Sequence, residues 1–344
     1  MNICIIGAGW FGCFIGHELL KKKYIVDIYE KEKDIFLNAS GNNQNRLHLG
    51  FHYPRSSITR KLSKTGFEFF KKKFSAFSKK INNNFYAISN TSSSKINFKK
   101  YLSIMSSSKL QFKKIHLKNF PYLKNLEGVI KSNEELILTE KVKKYYKKKL
   151  KNNIIFKYNI ETLKKKKKKY IINKKKYDFV INCTSLHFSK NKIKKLTYEY
   201  CTILLYKFLQ KDHPAITIMD GPFFTLYPWD NKKNFGLYSV VSSRLLIDKN
   251  LNSLKRKVRN FINKKFMYNI KKKIEYEYSH FYPSFKKKFR FIKFLNSYRT
   301  IIDNKFDSRN CKVESNNNFI NVFPGKIDHI FYAFKQVEKC LKKF

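Results

Sequence analysis

Acidic residues are scarce in this chain, which has 24 aspartates and glutamates against 74 lysines and arginines among 344 residues. Glycine and proline are also few, at 11 and 7, and the six cysteines are scattered without a Cys-x-x-Cys pair. This spacing excludes a zinc finger and a disulfide scaffold, so no metal site is expected. No apolar run reaches the roughly 20 residues of a transmembrane helix.

The start of the chain also lacks the basic segment and the small-residue cleavage site of a secretory signal. Cysteines scattered through apolar stretches are typical of buried free thiols in a reducing compartment. The sequence therefore predicts a cytoplasmic protein. Its apolar fraction of 42% is enough for a folded core, and its length favours two domains.

The formal net charge of +50 has two interpretations. One is a polyanionic partner such as nucleic acid or an anionic membrane. The other is nucleotide bias in the genome, since Lys, Asn, Ile, Phe and Tyr, whose codons are rich in A and T, are all abundant. The longest basic run, Lys164 to Lys169, predicts a solvated loop. No nucleic-acid-binding motif accompanies the charge, so nucleic acid is not an expected partner, whereas peripheral contact with a membrane stays open.

The beginning of the chain carries its clearest motif. Residues 2–6, NICII, predict a short buried strand, and residues 7–12, GAGWFG, follow at once and lead into an apolar-periodic helix. In a G-x-G-x-x-G motif Gly7 permits the tight turn, Gly9 lets the backbone approach a diphosphate, and Gly12 lets the helix pack closely on the strand.

Trp10 and Phe11 lie at the start of this helix, where N-terminal amides and the helix dipole favour an anionic diphosphate. A second predicted strand, Tyr24 to Tyr29, ends at Glu30, which lies 18 residues after Gly12. An acid at about this distance hydrogen-bonds ribose hydroxyls, and its charge disfavours the 2′-phosphate of NADP. The succession of strand, glycine motif, helix, second strand and acid predicts a dinucleotide-binding unit for NAD or FAD.

The segment after Glu30 does not continue with the further β-α units of a simple NAD-binding domain. Instead Asn38-Ala39-Ser40 leads into residues 41–56, GNNQNRLHLGFHYPRS, which hold two glycines, two histidines, two arginines and several amides. Small and amide-bearing residues allow a loop to approach a cofactor closely. The residues of this loop are therefore the ones to use in deciding between NAD and FAD.

The sequence resembles the D-amino acid oxidase-like family of FAD-dependent oxidoreductases. The resemblance rests on GAGWFG, on Glu30, on Ala39-Ser40-Gly41-Asn42-Asn43-Gln44, and on Leu47-His48-Leu49-Gly50 followed by Tyr53-Pro54. The Leu-His-x-Gly portion is most similar to the branch that oxidises 2-hydroxy acids and glycerol 3-phosphate. The family resemblance implies FAD as the cofactor.

The resemblance also implies which residues contact FAD. Those in the N-terminal part are Gly7, Gly9, Trp10, Phe11, Gly12, Glu30, Ser40, Gly41, Asn42, Asn43, Arg46, Leu47 and His48. Tyr177 to Cys183 predicts a buried strand followed by Thr184, similar to a strand of the family that ends near the cofactor. Ser185 and Leu186 stand where that family has a glycine.

A second glycine turn lies near the C-terminus. Phe319 to Phe323 predicts a strand, and Pro324-Gly325-Lys326 opens a predicted helix. The family uses a similar turn to reach the flavin, which implies contacts from Gly325, Lys326 and Ile327. Lys326 is expected in the first turn of the helix, where it could balance charge on the reduced flavin; a solvated lysine is the alternative.

Two residues are candidates for catalysis. Oxidation of an alcohol needs a base for the O–H proton, and a neutral imidazole suits that task. His48 is favoured over His52 because the family places a similar His-x-Gly beside the flavin; a histidine that only hydrogen-bonds backbone or diphosphate is the alternative. Arg299 resembles a late arginine of the family that binds a substrate carboxylate, although Thr300 replaces its usual proline.

The predicted fold class is α/β, with a discontinuous Rossmann-like FAD-binding domain and an antiparallel-sheet substrate domain. The FAD-binding domain would comprise residues 1–75, 140–200 and 290–344, and the substrate domain residues 76–139 and 201–289. The antiparallel sheet is predicted from β-rich runs separated by turn residues, namely Tyr198 to Leu209, Ala215 to Met219, Phe223 to Tyr227 and Phe235 to Ser242.

Together these features predict an FAD-dependent oxidoreductase that removes a hydride from a C–OH or C–NH centre of a small polar, anionic substrate. Electrons would pass to oxygen, a quinone or a carrier, which the sequence does not distinguish. Two alternatives stay open: an NAD-dependent dehydrogenase, and a non-catalytic basic protein that keeps the dinucleotide-binding fold and binds a polyanion.

Overall fold

The computed structural model describes residues 1–185, 187–188, 196–230, 233–302 and 309–343. The strands of this part of the chain are β1 (Asn2–Ile6), β2 (Ile25–Tyr29), β3 (Arg46–Leu47), β4 (Ser78–Lys80), β5 (Asn84–Ser89), β6 (Lys113–Ile115), β7 (Leu126–Lys131), β8 (Glu135–Ile137), β9 (Ile154–Ile155), β10 (Lys164–Lys166), β11 (Lys169–Ile172), β12 (Lys175–Tyr177), β13 (Phe179–Asn182), β14 (Leu196–Phe208), β15 (Ala215–Met219), β16 (Phe224–Pro228), β17 (Asn234–Ser239), β18 (Arg244–Asp248), β19 (Phe289–Ile302), β20 (Lys312–Asn316) and β21 (Phe319–Phe323).

The α-helices are α1 (Trp10–Lys21), α2 (Ser57–Phe74), α3 (Phe98–Ser107), α4 (Thr139–Lys149), α5 (Leu251–Phe261), α6 (Lys264–Ser279), α7 (Phe285–Lys288) and α8 (Ile330–Leu341). Within the described ranges, no helix is both long enough and apolar enough to cross a membrane. The chain forms two compact units. Unit 1 comprises Met1–Gly41, Thr139–Leu196 and Arg309–Phe344, and unit 2 comprises Asn42–Leu138 and Thr197–Ser308.

Unit 1 contains a six-stranded sheet with the order β20-β21-β13-β1-β2-β9. β1 pairs in parallel with β2 and β13, β13 pairs in parallel with β21, and β20 runs antiparallel to β21. Side chains alternate across this sheet. Ile5 and Ile28 face α1, whereas Cys4 and Tyr29 belong to a core cluster on the other side. The predicted strands β1 and β21 are confirmed, with the carboxyl ends of β2, β1, β13 and β21 side by side.

Unit 2 contains a nine-stranded sheet with the order β18-β14-β17-β16-β15-β5-β7-β6, and β19 pairs with β14. β5 is buried along its whole length, and its two faces enter different cores. Phe85 and Ala87 pack in an aromatic cluster with Tyr278 of α6. Tyr86 packs on the opposite face with Tyr101 of α3. Because both faces of the sheet are covered, a polar side chain on either face needs a partner inside the unit.

The predicted antiparallel sheet is confirmed for β14, β15, β16 and β17. One pair differs from the prediction, because β15 runs parallel to β5, with Ala215 opposite Asn84 and Met219 opposite Ile88. A parallel pair requires a long crossover connection. The chain supplies one here, since it passes through the unit 1 segment Thr139–Leu196 between β5 and β15.

The two compact units divide the chain at different points from the predicted domains. Residues 42–75 and 290–308 belong to unit 2, although we expected both segments in the FAD-binding domain. The reason is strand pairing, since β3 pairs with β8 and β19 pairs with β14. Which residues of each unit serve the cofactor or the substrate stays a prediction.

The basic run Lys164 to Lys169 is exposed, as expected of a solvated segment, but it is not a loop. Lys164–Lys166 form β10, and a turn at residues 167 and 168 leads into β11. β10, β11 and β12 form a three-stranded antiparallel sheet. Ile172 and Tyr177 of this sheet pack in the core of unit 1, which fixes the lysines in extended backbone.

Candidate functional site

The glycine motif forms the turn between β1 and α1. Gly7 has φ of +97°, a backbone region that residues with a Cβ rarely adopt, and its N–H donates to Tyr29 O at 2.8 Å. A Cβ on Gly12 would overlap the carbonyl oxygen of Gly7. The tight turn and the close approach of α1 to the strand therefore both depend on glycine, as the motif predicts.

Glu30 lies directly after β2 and is bonded to the glycine turn. Its Oε2 accepts from Ala8 N at 2.7 Å, and its Oε1 accepts from Glu32 N at 3.0 Å. Each carboxylate oxygen has a further lone pair for another donor. The predicted ribose-binding acid is thus fixed beside the turn by backbone amides.

Ser40 also lies against the turn. Its Oγ accepts from Trp10 N at 2.9 Å, and a Cβ on Gly9 would lie 2.8 Å from the same oxygen. The side chains of Trp10 and Phe11 are buried, and the indole of Trp10 stacks on Phe36 with ring centroids 5.2 Å apart. Only backbone atoms of these two residues are therefore suited to face a ligand at the helix terminus.

The turn after β13 is organised by a buried asparagine that the sequence did not single out. Asn182 Oδ1 accepts from Thr184 N at 3.1 Å and from Thr184 Oγ1 at 2.7 Å, and its Nδ2 donates to Asn321 Oδ1 at 2.8 Å. Ser185, which stands where the family has a glycine, has φ of +56°. The serine therefore adopts the left-handed backbone that a glycine would favour. Leu186 lies outside the described residues.

The C-terminal glycine turn differs from the prediction in one respect. Residues Ile327–His329 form a 3₁₀ turn, and α8 begins only at Ile330. Lys326 precedes this turn, and its N–H donates to His329 Nδ1 at 3.2 Å. The expectation that Lys326 lies in the first turn of an α-helix is wrong, because a 3₁₀ turn separates Lys326 from α8. A Cβ on Gly325 would overlap Arg309 O, which accounts for the glycine.

The predicted cofactor residues of unit 1 meet at one sheet edge. Glu30, Gly7, Thr184 and Gly325 follow the carboxyl ends of β2, β1, β13 and β21, which are neighbours in the sheet. Ligands of open α/β sheets bind at this edge. The helix α1 carries no acidic residue in its first turn, so its N-terminus suits a diphosphate, and Glu30 suits a ribose. These residues fit the nucleotide part of FAD.

Five of the predicted cofactor residues belong to unit 2, namely Asn42, Asn43, Arg46, Leu47 and His48. Side-chain amides fix the first part of this loop. Asn42 Nδ2 donates to Asn296 O at 2.8 Å, and Asn43 Oδ1 accepts from Asn45 N at 2.6 Å. Asn45 Nδ2 donates to Trp229 O at 2.9 Å. Leu47, the second residue of β3, is fully buried. The amide-rich loop is therefore fixed by bonds within unit 2, and its contact with a cofactor stays a prediction.

Arg46 extends into the interior of unit 2. Its Nη1 donates to Tyr86 Oη and its Nη2 to Thr217 Oγ1, both at 2.7 Å, and its guanidinium lies 3.9 Å from the ring centroid of Tyr227. Tyr86 and Thr217 are directly opposite each other in the β5–β15 pair, which explains how one guanidinium reaches both. These contacts assign Arg46 a structural role, and its predicted cofactor contact stays a prediction.

Glu134, between β7 and β8, is the functional candidate that sequence reasoning missed. It is fully buried, and its Oε1 accepts from Leu49 N at 2.8 Å while its Oε2 accepts from Tyr86 Oη at 2.6 Å. His48 Nδ1 lies 3.7 Å from Oε1, and Arg46 Nη1 lies 3.9 Å from Oε2. The sequence did contain one signal for it: two adjacent glutamates, Glu134 and Glu135, lie between apolar residues in a chain that has few acidic residues.

The carboxylate of Glu134 is ionised despite its burial. Burial alone raises the pKa of a carboxyl group, but the adjacent His48, the charge of Arg46 and the hydrogen bond from Tyr86 lower the pKa of Glu134 below its ordinary value. His48 itself is 7% exposed, and its ring centroid lies 5.8 Å from that of His52. The loop thus presents a nearly buried imidazole beside a negative charge. The described residues include no group of three or more His, Cys, Asp or Glu suited to a metal ion.

Arg299 lies on β19 beside a second buried carboxylate. Its Nη2 donates to Glu199 Oε2 and to Tyr238 Oη, both at 2.8 Å. Arg244 Nε pairs with the other oxygen of Glu199, also at 2.8 Å. Two arginines thus share one carboxylate, which leaves a net positive charge. Within the described part of the chain, Arg299 Nε is buried without a hydrogen-bond partner, although the side chain as a whole is 35% exposed.

Comparison with known proteins gives matches along the whole chain. A model of the FAD-dependent oxidoreductase (DAO) family matches residues 2–91. The FAD-dependent monooxygenase FPY4 of Fusarium mangiferae is 30% identical over 336 residues, which cover 98% of this chain and 90% of that protein. A mitochondrial L-2-hydroxyglutarate dehydrogenase of Caenorhabditis elegans is 35% identical over 77 residues, or 21% of this chain and 18% of that enzyme.

Solved structures share the fold over nearly the whole chain. The L-alpha-glycerophosphate oxidase of Mycoplasma pneumoniae, solved with FAD bound, superposes with a TM-score of 0.75 at 16% identity and covers 99% of this chain and 94% of that one. Both units of this chain therefore have counterparts in an FAD-binding oxidase fold. The chain belongs to the DAO family of FAD-dependent oxidoreductases, and FAD is its cofactor.

Proposed function

We propose that the protein oxidises a small polar, anionic substrate by removing a hydride from a C–OH or C–NH centre. Bound FAD supplies the hydride acceptor, N5 of the flavin ring. The remaining tasks belong to side chains of this chain: the nucleotide must be held, the substrate anion must be bound, and a proton must be accepted from the substrate. Each task has a candidate among the residues described above.

The observation that carries the proposal is the placement of His48 beside an ionised, fully buried carboxylate. A base must accept the substrate proton and hold it as imidazolium during the reaction. Glu134 Oε1, 3.7 Å from His48 Nδ1, favours that positive charge. An imidazole that is 7% exposed is also shielded from water that would compete for the proton. His48 therefore suits proton acceptance from an O–H or N–H group.

Arg299 is the proposed group for the substrate anion. A guanidinium carries five N–H donors and a permanent positive charge; Arg299 uses Nη2 for Glu199 and Tyr238, and its buried Nε has no hydrogen-bond partner in the described residues. Because the single charge of Glu199 is shared between Arg244 and Arg299, Arg299 can bind a second anion. Two proteins to which this chain is similar are named for 2-hydroxyglutarate and glycerophosphate, which are anionic alcohols.

The test is substrate-dependent bleaching of the flavin under anaerobic conditions. Oxidised holoenzyme would be mixed with 2-hydroxy acids, glycerol 3-phosphate and amino acids, and flavin absorbance followed in a stopped-flow instrument. With a substrate that bleaches, His48→Asn should slow flavin reduction by roughly 10²-fold or more, since it removes the base. His116→Asn is the matched control, because His116 is exposed. An unchanged rate in His48→Asn would remove His48 from the proposal.

A second candidate function is monooxygenation, which the full-length similarity to a Fusarium monooxygenase supports. Such a reaction inserts one oxygen atom of O₂ into the substrate and reduces the other to water with two electrons from a nicotinamide. The anaerobic experiment separates the two functions. Bleaching by the organic substrate alone supports hydride removal, whereas bleaching that requires NADH or NADPH, followed by incorporation of labelled O₂, supports monooxygenation.

A further inference from the structure

Glu134 is a fully buried carboxylate on which a backbone amide and three side chains of unit 2 converge. We propose that Glu134 is a positioning residue that holds the proton of neutral His48 on Nδ1, leaves Nε2 as the proton acceptor, and stabilises the imidazolium after the proton is taken. The inference rests on the proposed function, since it assigns a partner to the same base.

The cost of burying Glu134 is the first argument. An ionised carboxylate loses several kcal/mol of solvation in a protein interior, to order of magnitude, and is retained where partners replace the water. Leu49 N, Tyr86 Oη and Arg46 supply those partners. Burial raises the pKa of Tyr86 well above its ordinary range, so that its hydroxyl stays a donor. The carboxylate is therefore held in place by groups other than His48.

The position of the Leu49 amide is the second argument. Leu49 directly follows His48, and its N–H donates at 2.8 Å to Oε1, the same oxygen that lies 3.7 Å from His48 Nδ1. The backbone next to His48 is thus fixed to the carboxylate oxygen that lies nearest Nδ1 of its imidazole. A neutral imidazole carries one N–H, and a carboxylate beside Nδ1 favours the tautomer with the proton there.

The charges around His48 form the third argument. Among the described residues, the titratable and charged groups around His48 and the carboxylate come from several elements: Glu134 after β7, Arg46 on β3, Tyr86 on β5, Tyr101 on α3, Tyr227 on β16, and His52 and Tyr53 in the loop of His48. Arg46 lies on the Oε2 side of Glu134 and is tied to Tyr86 and Thr217. Oε1 is therefore the oxygen of Glu134 whose negative charge acts on the imidazole of His48.

The experiment compares Glu134→Gln with Glu135→Gln. Glu135 is the neighbouring glutamate, is also buried, and is paired with Lys71 at 2.9 Å and Ser78 at 2.6 Å instead of with His48. In anaerobic flavin reduction, Glu134→Gln should lower the limiting rate at least roughly 10-fold and leave the apparent substrate dissociation constant within about 3-fold. The low-pH limb of its rate profile should move to lower pH by roughly one unit, because the imidazolium loses its carboxylate. Glu135→Gln should retain the wild-type profile.

A second measurement does not depend on activity or on the folding of the Glu134→Gln variant. In oxidised wild-type holoenzyme labelled with ¹⁵N-histidine, long-range ¹H–¹⁵N correlation spectra distinguish the two imidazole tautomers. The His48 signal is identified as the one of eight histidine signals that His48→Asn removes. We expect neutral His48 to carry its proton on Nδ1.

The outcomes are separable. A wild-type His48 protonated on Nε2, or a Glu134→Gln variant whose pH profile matches the wild type while His48→Asn is inactive, overturns the positioning role. If His48→Asn retains the wild-type rate, the proposed base is wrong, and the tautomer spectrum still decides whether Glu134 orients the ring. A Glu134→Gln variant that does not fold leaves that spectrum as the deciding measurement.

Discussion

The candidate residues of unit 1 and of unit 2 are built in different ways. In unit 1 the turn between β1 and α1 depends on backbone: Gly7 supplies its positive φ and Gly12 its close approach, within twelve residues of the N-terminus. In unit 2 the surroundings of His48 depend on side chains from distant parts of the chain, with Glu134 and Tyr86 meeting Arg46 in the interior. The first arrangement is local in sequence, and the second is not.

This difference predicts different responses to substitution. A backbone-built turn fails when a side chain is added, because a Cβ collides with main-chain atoms that cannot move away. A side-chain-built cluster fails when a charge or a donor is removed, because its partners are left buried and unsatisfied. Substitutions in the glycine turn of unit 1 should therefore abolish cofactor retention, whereas substitutions around His48 in unit 2 should change the kinetics and their pH dependence.

The largest effect is expected at Gly12. Gly12→Ala places a Cβ against the carbonyl oxygen of Gly7 and should weaken FAD retention by roughly 10²-fold or more, measured as bound flavin per protein and by titration of the apoprotein. Gly16→Ala on the same helix is the control. Its Cβ would meet the terminal Cδ1 of Ile28 at 2.7 Å, which a flexible side chain can relieve. Equal flavin content in both variants would contradict the backbone argument.

A smaller effect is expected at Arg299. Arg299→Lys keeps the charge but loses the several directed N–H donors of the guanidinium, so the KM for an anionic substrate should rise roughly 10-fold to 10²-fold while kcat changes less. Arg244→Lys is the matched control, since Arg244 shares the carboxylate of Glu199 at the same distance of 2.8 Å. Steady-state kinetics decide the matter, and equal KM changes in the two variants would leave Arg299 with a structural role alone.

The smallest effect is expected at His213, within the aromatic core of unit 2. Its ring stacks on Tyr282 at 5.6 Å and contacts Phe208 and Phe289 at 4.9 Å, and burial lowers the pKa of His213 to about 4. The unfolded chain binds a proton at pH below about 6.5, whereas the folded state resists it until about pH 4. Stability should therefore fall as pH decreases through this window, by roughly 2 to 3 kcal/mol at pH 4.5.

Replacement of His213 tests whether this residue makes the protein less stable at low pH. In His213→Phe the free energy of unfolding, measured by urea titration at pH 7 and pH 4.5, should decrease less on acidification than in the wild type, by about the same 2 to 3 kcal/mol. His280→Gln is the control, because His280 is exposed and lies outside this cluster. Identical pH dependence in His213→Phe and the wild type would show that His213 binds a proton equally well in the folded and unfolded states.

The sequence allowed the local elements of unit 1 to be predicted well. The bounds of β1 and β21 agree with the predicted strands, and the glycine turn and Glu30 lie where their spacing indicated. These features are set by neighbours in the chain, through apolar runs, turn glycines and helix termini. The start of α8 was misplaced because a 3₁₀ turn and an α-helical turn have similar sequence patterns.

The residues around His48 could not be found in the same way. Tyr86, Thr217 and Glu134 come from β5, β15 and the segment before β8, and only the pairing of those strands brings them to one place. The parallel pairing of β5 with β15 was itself not predicted, since it depends on a crossover through the other unit. Periodicity identifies a buried face but not the partner strand.

By itself the sequence determined that this chain forms a dinucleotide-binding α/β unit followed by a loop that contains histidines. Both can be read from the sequence because the strand, the glycine turn and the start of the helix depend on residues that are neighbours in the chain. The tertiary structure decided that Arg46 is committed to the interior of unit 2, that Ser185 adopts the backbone of a glycine, and that His48 faces Glu134. These three features depend on the register of the paired strands and on the burial of the side chains. A charge buried without its partner is costly, so its neighbours are specified by the fold as a whole.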